Sequence, residues 1–451
     1  MSAQSSPFLS DDDSDHRSET ESESESESQS LDMISHLPDG VIQQILSYLT
    51  TKDAVATSVL SWRWRYIWEL VPNLKFDNSK AYTYDERFSD LVNNALMYHG
   101  ADILEKFHLK CSPYDDFEEL ESWVDCAVER CPREVKLSMC SFPGRHFAVP
   151  ASVLNCETIT VLKLKGEGIF VDVRDTYVQL PCLKVLNLFF VHYIDDSSLT
   201  GLLSGCRALE EIHFRRSFYH DNIKTLCINV PTLRRLVLVC PKTFVTSQKL
   251  KLEIKAPALE YLELRAVQCQ DLLVEEFPQL VKATLDFCEP LTGKLLGSLR
   301  NVKQLCLDNL PKSLPQEGLN LIPEYHQLEG LEFTLVDSVW GVLMDLLENS
   351  PKLKALVIRK DERIPPLSHC SFPKSLPNCF LYQLETLCVH GFTCSEGEMS
   401  FVRDILEKGE ALKRVYIHTF SSLMDYEAKQ CLIEQLSALP KSSASCEIDI
   451  V

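Results

Sequence analysis

Glycine is scarce, with 15 in 451 residues, and none stands in G-x-x-x-x-G-K-[ST], G-x-G-x-x-G or G-x-S-x-G spacing. Phosphate-cradling loops and the hydrolase nucleophile elbow need those glycines for tight turns and close backbone approach, so their absence excludes those chemistries. H-E-x-x-H is missing too, and the 18 cysteines include no C-x-x-C pair. Of the closest spacings, neither Cys126 with Cys131 nor Cys388 with Cys394 has a His or second Cys pair to complete a zinc site. Nothing in the spacing of 18 Cys and 12 His selects a nucleophilic pair. No catalytic residue, cofactor or metal is therefore expected. No apolar run approaches the roughly 18 to 20 residues that span a bilayer, and the N-terminus MSAQSSPFLSDDDSD is too polar for a secretory signal. A basic stripe is also lacking. Of the net charge of −20, residues 1–30 carry −8 (nine acids against Arg17), and the other −12 is spread over the body, which argues against nucleic acid as a partner.

What is present is an ordinary apolar fraction of 45%, ample for a large core, in a length that suits two or three domains or one elongated array. The cysteines are scattered, and several, such as Cys182 and Cys206, stand where small apolar residues would serve. They read as reduced, buried thiols of an intracellular protein, nuclear, cytoplasmic or both. The Glu–Ser alternation at 21–28 cannot bury apolar area, so residues 1–30 are expected to form a disordered acidic tail. Ser18, Ser22 and Ser24 each have Glu three residues on, a pattern that suits an acidophilic kinase; the alternative is a plain solvated tail.

Residues 33–76 carry the densest signal. Pro38 fits a first helical turn. Val41, Ile42, Ile45, Leu46 and Leu49 then recur at helical spacing. Thr50 with Asp53 three residues later resembles a capping box opening a second helix whose apolar stripe is Ala54, Val55, Val59 and Leu60. A third segment, Ser61–Leu70, holds Trp62, Trp64, Tyr66, Ile67 and Trp68. So short a unit cannot hide that much aromatic surface, which leaves some for a partner. The stretch resembles the F-box, the three-helix module that attaches substrate receptors to SCF ubiquitin ligases. The matching residues are Leu37-Pro38-Asp39, Ile42/Ile45/Leu46/Leu49, Leu60-Ser61, Arg63-Trp64-Arg65, Trp68 and Leu70-Val71-Pro72. Trp62 departs from it, standing where the family usually carries Lys or Arg. The resemblance implies docking on a Skp-type adaptor through Leu37, Pro38, Ile42, Ile45, Leu46, Leu49, Val55, Leu60, Trp64 and Trp68.

Behind this module the pattern L-x-x-L-x-L recurs thirteen times, from Leu104/Phe107/Leu109 to Leu412/Val415/Ile417. From Ile159 onward the offsets run from 21 to 31 residues, most within the roughly 20 to 29 of leucine-rich repeats. The expected fold is α/β: a small F-box at 31–77, then a curved leucine-rich-repeat solenoid with a parallel sheet over 85–360. Helical connectors are readable near 197–212, 339–356 and 398–415, and the others are expected to be short and irregular. Alternation along each strand places one residue column at Lys163, Asn187, His213 and their equivalents, and a second at Lys165, Phe189, Arg215, Val239, Arg265, Asp286, Asp308, Thr334, Arg359, His390 and His418. Lys165, Phe189, Arg215, Arg265, Asp286, Asp308 and Arg359 are the candidate target-binding residues on that concave face.

Residues 361–380 hold four prolines and interrupt the ladder. The C-terminal stretch 370–440 resembles the FBD domain of plant F-box proteins through Leu376-Pro377, Cys379-Phe380-Leu381, Leu384-x-x-Leu387, Gly391, Phe401-Val402-x-x-Ile405-Leu406 and Leu412-Lys413. Physically it is two strand–helix repeats that seal the open end of the solenoid, as terminal repeats must. The whole is similar to the plant F-box/FBD/LRR-repeat family. That resemblance implies a substrate receptor without catalysis of its own, bridged by its adaptor to a cullin and a RING subunit and holding an unidentified target protein. The alternative is a repeat-based scaffold acting outside any ligase with a degenerate F-box.

Overall fold

The structure, a computed structural model, describes residues 34 and 37–450, apart from 141, 143, 175, 218–221, 242–249, 268, 287–292, 309–321, 336–339, 361–375 and 420–425. The expectations for the acidic tail and for the proline-rich stretch up to 375 fall outside the described residues.

The chain opens with helix α1 (Asp39–Leu46), entered directly from Pro38, and helix α2 (Thr51–Ala56). The Asp53 N–H donates to Thr50 Oγ1 at 3.2 Å, so Thr50 is the N-cap its spacing implies, and its hydroxyl donates to the Asp53 carboxylate at 2.7 Å. A third α-helix does not form. Residues 62–66 are turns and Ile67–Leu70 makes one 3-10 turn. The aromatic run is a poor helix former, and Pro72 forces Val71 into extended backbone before a helix can lengthen. Ile42, Leu46, Ala54, Trp64, Ile67 and Val71 close a small core of their own.

Fifteen parallel strands share one sheet among the described residues, each paired with its sequence neighbours in that sheet. They are β1 (Asn73–Asp77), β2 (Lys106–Cys111), β3 (Glu134–Met139), β4 (Val161–Lys165), β5 (Val185–Phe189), β6 (Glu211–Arg215), β7 (Arg235–Val239) and β8 (Tyr261–Arg265). After them come β9 (Lys282–Asp286), β10 (Gln304–Asp308), β11 (Gly330–Leu335), β12 (Ala355–Lys360), β13 (Thr386–Phe392), β14 (Arg414–Thr419) and β15 (Glu447–Ile450). The thirteen L-x-x-L-x-L copies are β2 to β14, one strand each. Their paired apolar residues point into the core and are almost fully buried, from Phe107 and Leu109 through Leu236 and Leu238 to Val415 and Ile417. Neighbouring strands are in register at those positions, Leu186 opposite Ile212 and Leu262 opposite Ala283. Each inward leucine is thus packed on the repeat before and after, where truncation to alanine costs about 2–5 kcal/mol.

Several features differ from the sequence reading. Two strands extend the sheet beyond the ladder, β1 at the start and β15 at the end. The three anticipated helices are Asp196–Ser204, Trp340–Glu348 and Glu396–Lys408. Some connectors read as irregular are instead strands: Thr225–Asn229, Leu250–Lys255 and Cys269–Val274 form a second parallel sheet, and Phe147–Ala148, Ile169–Val171 and His192–Tyr193 a third. Leu226, Ile228, Leu252 and Ile254 from these strands join the main core. Their period-2 alternation is what makes them strands. Cys206 is buried as expected, but Cys182 is exposed. No helix among the described residues is long and apolar enough to cross a membrane.

Two joints lock the array end to end. Trp68 packs against both the small N-terminal core and the repeat core. In between, the Lys75 N–H donates to Thr51 Oγ1 at 2.8 Å, and Lys75 Nζ donates to the Ser47 carbonyl at 2.6 Å. Toward the other end, Lys360 on β12 is buried against Glu398 of the helix Glu396–Lys408.

Candidate functional site

Two surfaces carry the recognisable chemistry. On the N-terminal module, helix α1 turns Ile42 and Leu46 inward and leaves Val41, Ile45, Tyr48 and Leu49 exposed. Val41 and Ile45 lie one turn apart on α1, and Tyr48 and Leu49 follow in the turn just after it. A second apolar group lies beyond α2: Val59, Leu60, Trp62 and Tyr66 are all exposed, Leu60 at 63% and Trp62 at 81%. The Arg65 guanidinium lies 5.0 Å from the Trp62 ring and 5.5 Å from that of Tyr66, a cation–π arrangement that holds these rings and keeps a positive charge beside them. Arg63 fixes the segment from below. It bonds the Asp39 carboxylate at 2.6 Å and also the Leu37 carbonyl, pinning the turn to the start of α1.

The ten residues assigned to adaptor docking therefore divide. Pro38, Ile45, Leu49 and Leu60 are exposed, and Leu37 and Val55 are partly so. Ile42, Leu46 and Trp64 are not surface residues: Trp64 is 6% exposed and sits in the module's own core. Trp68 is the seam between the two cores rather than a free anchor. Aromatic content says how much apolar surface a segment must place, but not which ring faces inward. Trp62, Val59, Tyr48 and Tyr66, outside that set, are exposed.

On the sheet, both predicted residue columns are real. Lys163, Asn187, His213, Val237, Glu263, Thr284, Cys306, Glu332, Val357, Cys388 and Tyr416 lie opposite one another in turn. Lys165, Phe189, Arg215, Val239, Arg265, Asp286 and Asp308 do the same one step along. Lys165, Arg215, Arg265 and Arg359 are exposed, and Phe189 and Asp308 are half-buried. Asp286 is the exception. At 4% exposed it does not present its carboxylate.

Charge on this face is ordered. At the N-terminal end Glu134 gathers His108 at 3.2 Å, Lys163 at 2.8 Å and Lys106 at 3.9 Å, while Asp77 takes Lys110 at 2.6 Å. The His108 imidazole, 3.2 Å away, and then the Lys163 ammonium hold the Glu134 carboxyl at about 2 against the opposing effect of burial. Lys136, Lys165 and Arg215 add further cations. Toward the middle, Arg265 pairs with Glu263 and Arg359 with Glu332, and Thr334 Oγ1 donates to Asp308 at 2.6 Å. Burial, then the Asp308 and Glu332 carboxylates, push the Cys306 thiol up to about 12, so it stays protonated and inert. A curved face that is basic at one end and neutralised by ion pairs in the middle can orient a protein or peptide.

Known proteins share the same divisions. Family models match residues 34–76 as an F-box domain, 120–280 as the LRR repeats of FBD-associated F-box protein At5g56370, and 373–417 as FBD. The F-box/FBD/LRR-repeat protein At5g56420 of Arabidopsis thaliana is 33% identical over 92% of this chain and 98% of its own length. F-box/FBD/LRR-repeat protein At3g52680 of the same plant is 34% identical over 92% of both, and FBD-associated F-box protein At5g56370 is 32% identical over 93% and 99%. With the F-box, the repeats and the closing FBD present in that order along its length, the chain belongs to the F-box/FBD/LRR-repeat protein family.

Proposed function

We propose that this protein is the substrate-recognition subunit of an SCF-type E3 ubiquitin ligase, acting inside the cell in the nucleus, the cytoplasm or both. The observation that carries the reading is the pair of exposed apolar groups on the F-box, Val41/Ile45/Tyr48/Leu49 and Val59/Leu60/Trp62/Tyr66, on a module whose core is already complete without them. Such an accumulation on so small a unit marks a protein interface. A Skp-type adaptor is the partner it fits, and through that adaptor a cullin and a RING subunit. Arg65, over the Trp62 and Tyr66 rings, adds positive charge to the face and suits an acidic partner.

The concave sheet is the target-binding surface in this reading, with Lys165, Phe189, Arg215, Arg265, Asp308 and Arg359 available to a bound protein. Ubiquitin transfer then results from proximity, and the chain supplies binding rather than bond-making. The decisive experiment is adaptor co-purification of the wild type and of an Ile45→Asp, Leu60→Ala, Trp62→Ala variant, all three positions being exposed. Retention of the adaptor by the wild type and its loss from a variant of unchanged thermal stability is the expected result. Undiminished adaptor binding by that variant would sink the assignment. A wild type that folds yet takes up no adaptor would favour the repeat-scaffold alternative, for which Trp62, standing in place of the usual basic residue, is the one local departure.

A further inference from the structure

Near the closing end of the sheet the two residue columns bring together three side chains that neither the fold nor adaptor docking requires. Cys388 and His390 are two apart on β13 and so share a face, and His390 lies directly opposite His418 on β14. The two imidazoles are stacked, with ring centroids 4.2 Å apart and planes 8° from parallel. Cys388 Sγ is 3.3 Å from His390 Nε2. One ligand atom from each of the three residues lies within 4.8 Å of the other two. Gly391, at φ 79°, comes immediately after and marks a register shift between His390 and Phe392. Such irregularities locally bend a strand and re-aim its side chains.

The pairing of the imidazoles is hard to explain by packing alone. Two stacked imidazolium rings would repel each other, and the Arg359 guanidinium lies opposite His390 on β12. Apart from the Cys388 contact, neither ring has a hydrogen-bond partner among the described residues. Arg359 is itself paired with Glu332, so the guanidinium does not face the cluster as an uncompensated charge.

We propose that Cys388, His390 and His418 form a zinc(II) site, with the fourth coordination position left to water or to a ligand of a bound target. One thiolate with two imidazoles is a donor set for a borderline-soft ion, whereas calcium and magnesium take oxygen ligands. At Zn–S of about 2.3 Å and Zn–N of about 2.0 Å, tetrahedral ligand atoms stand roughly 3.3–3.6 Å apart. The Cys388–His390 separation already has that value, and coordination by both imidazoles requires the stacked His418 ring to turn out of its parallel arrangement so that its lone pair converges with that of His390. On binding, Cys388 gives up its thiol proton to solvent and no other bond changes. The site ties two FBD strands together and places a Lewis-acidic ion on the same surface as the recognition columns.

The test uses the full chain and zinc alone. Wild type and Cys388→Ser, His390→Asn and His418→Asn variants are equilibrated with zinc, gel-filtered and analysed for bound metal. The wild type is expected to retain about one equivalent more than each variant. Cobalt(II) in its place should give the spectrum of a tetrahedral ion with a single thiolate. Equal zinc retention by all four proteins overturns the site, because the remaining cysteines would then account for the metal. Should a variant fail to fold, alkylation of Cys388 in the wild type followed by peptide mass analysis decides. Zinc is expected to slow that alkylation at least about tenfold, and an unchanged rate overturns the proposal. Neither failure bears on adaptor docking, which involves the opposite end of the chain.

Discussion

Lys360 donates to Glu398 at 2.9 Å in a place where their side chains are only 4% and 9% exposed. The same carboxylate accepts from the Thr393 N–H at 3.0 Å, the Thr393 hydroxyl at 2.9 Å and the Ser395 N–H at 3.1 Å, completing a capping box with Ser395. One buried charge pair therefore ties strand β12 to the first turn of the FBD helix. The two partners are not equivalent. Glu398→Ala leaves a buried ammonium beside a lone threonine hydroxyl and orphans two backbone donors, whereas Lys360→Met leaves a carboxylate that keeps three donors. Glu398→Ala is expected to cost about 3–5 kcal/mol and Lys360→Met about 1–2 kcal/mol, measured by urea denaturation. Equal losses would show that the cap contributes little.

Burial separates two kinds of F-box substitution. Trp64→Ala empties a core position and is expected to lower stability by about 3–5 kcal/mol. Leu60→Ala and Trp62→Ala remove exposed side chains and should leave the unfolding midpoint unchanged. Each should weaken adaptor binding by about 1–2 kcal/mol, roughly 5- to 30-fold in Kd, as read by calorimetry.

Acid should loosen the N-terminal end of the sheet through Glu134. Its folded value of about 2 lies below the ordinary 4.5, so the carboxylate stabilises the fold fully above about pH 4.5 and progressively less as pH falls toward 2. Glu134→Gln abolishes that dependence. The stability gap between wild type and variant is expected to be greatest above pH 5 and to narrow steadily toward pH 2 in a series of denaturation curves. A gap that stays constant with pH would refute the assignment.

Gly166 stands just after β4 with φ +120°, and its N–H donates to the Phe189 carbonyl at 2.8 Å. A Cβ at this position would overlap the Met139 carbonyl. Gly166→Ala should therefore cost about 2 kcal/mol or more in thermal unfolding. Gly40, whose Cβ would meet nothing within 4 Å, is the control and should tolerate alanine.

Legibility in the sequence tracked the strength of the periodic signal. Thirteen strands and both outward columns could be read because each repeat places its leucines at the same two inward positions, and parallel stacking keeps them in register. Strand β1 was hidden because Leu74 and Phe76 fall within the F-box match, and β15 because Glu447–Ile450 carries no leading leucine. Burial was less legible than position. Asp286 stands in its column but is covered, and Trp64 and Trp68 turn inward while Trp62 turns out; side-chain direction depends on neighbours that linear spacing does not contain. The Cys388–His390–His418 cluster was invisible for a related reason: its third member comes from the next repeat and joins the others only through strand register.

Strand β1 is both the last stretch of the F-box and the first rung of the recognition sheet, hydrogen-bonded to β2 along its length from Asn73 to Asp77. No linker separates the F-box from the repeat sheet. Position along the arc is thereby converted into distance from the docking end, at roughly 4.8 Å per strand, as on a graduated ruler clamped at zero. Cargo seated over β4 to β6 and cargo seated over β12 to β14 would be presented at different reaches, so inserting or deleting one repeat would change which lysines come within range without altering a single contact residue.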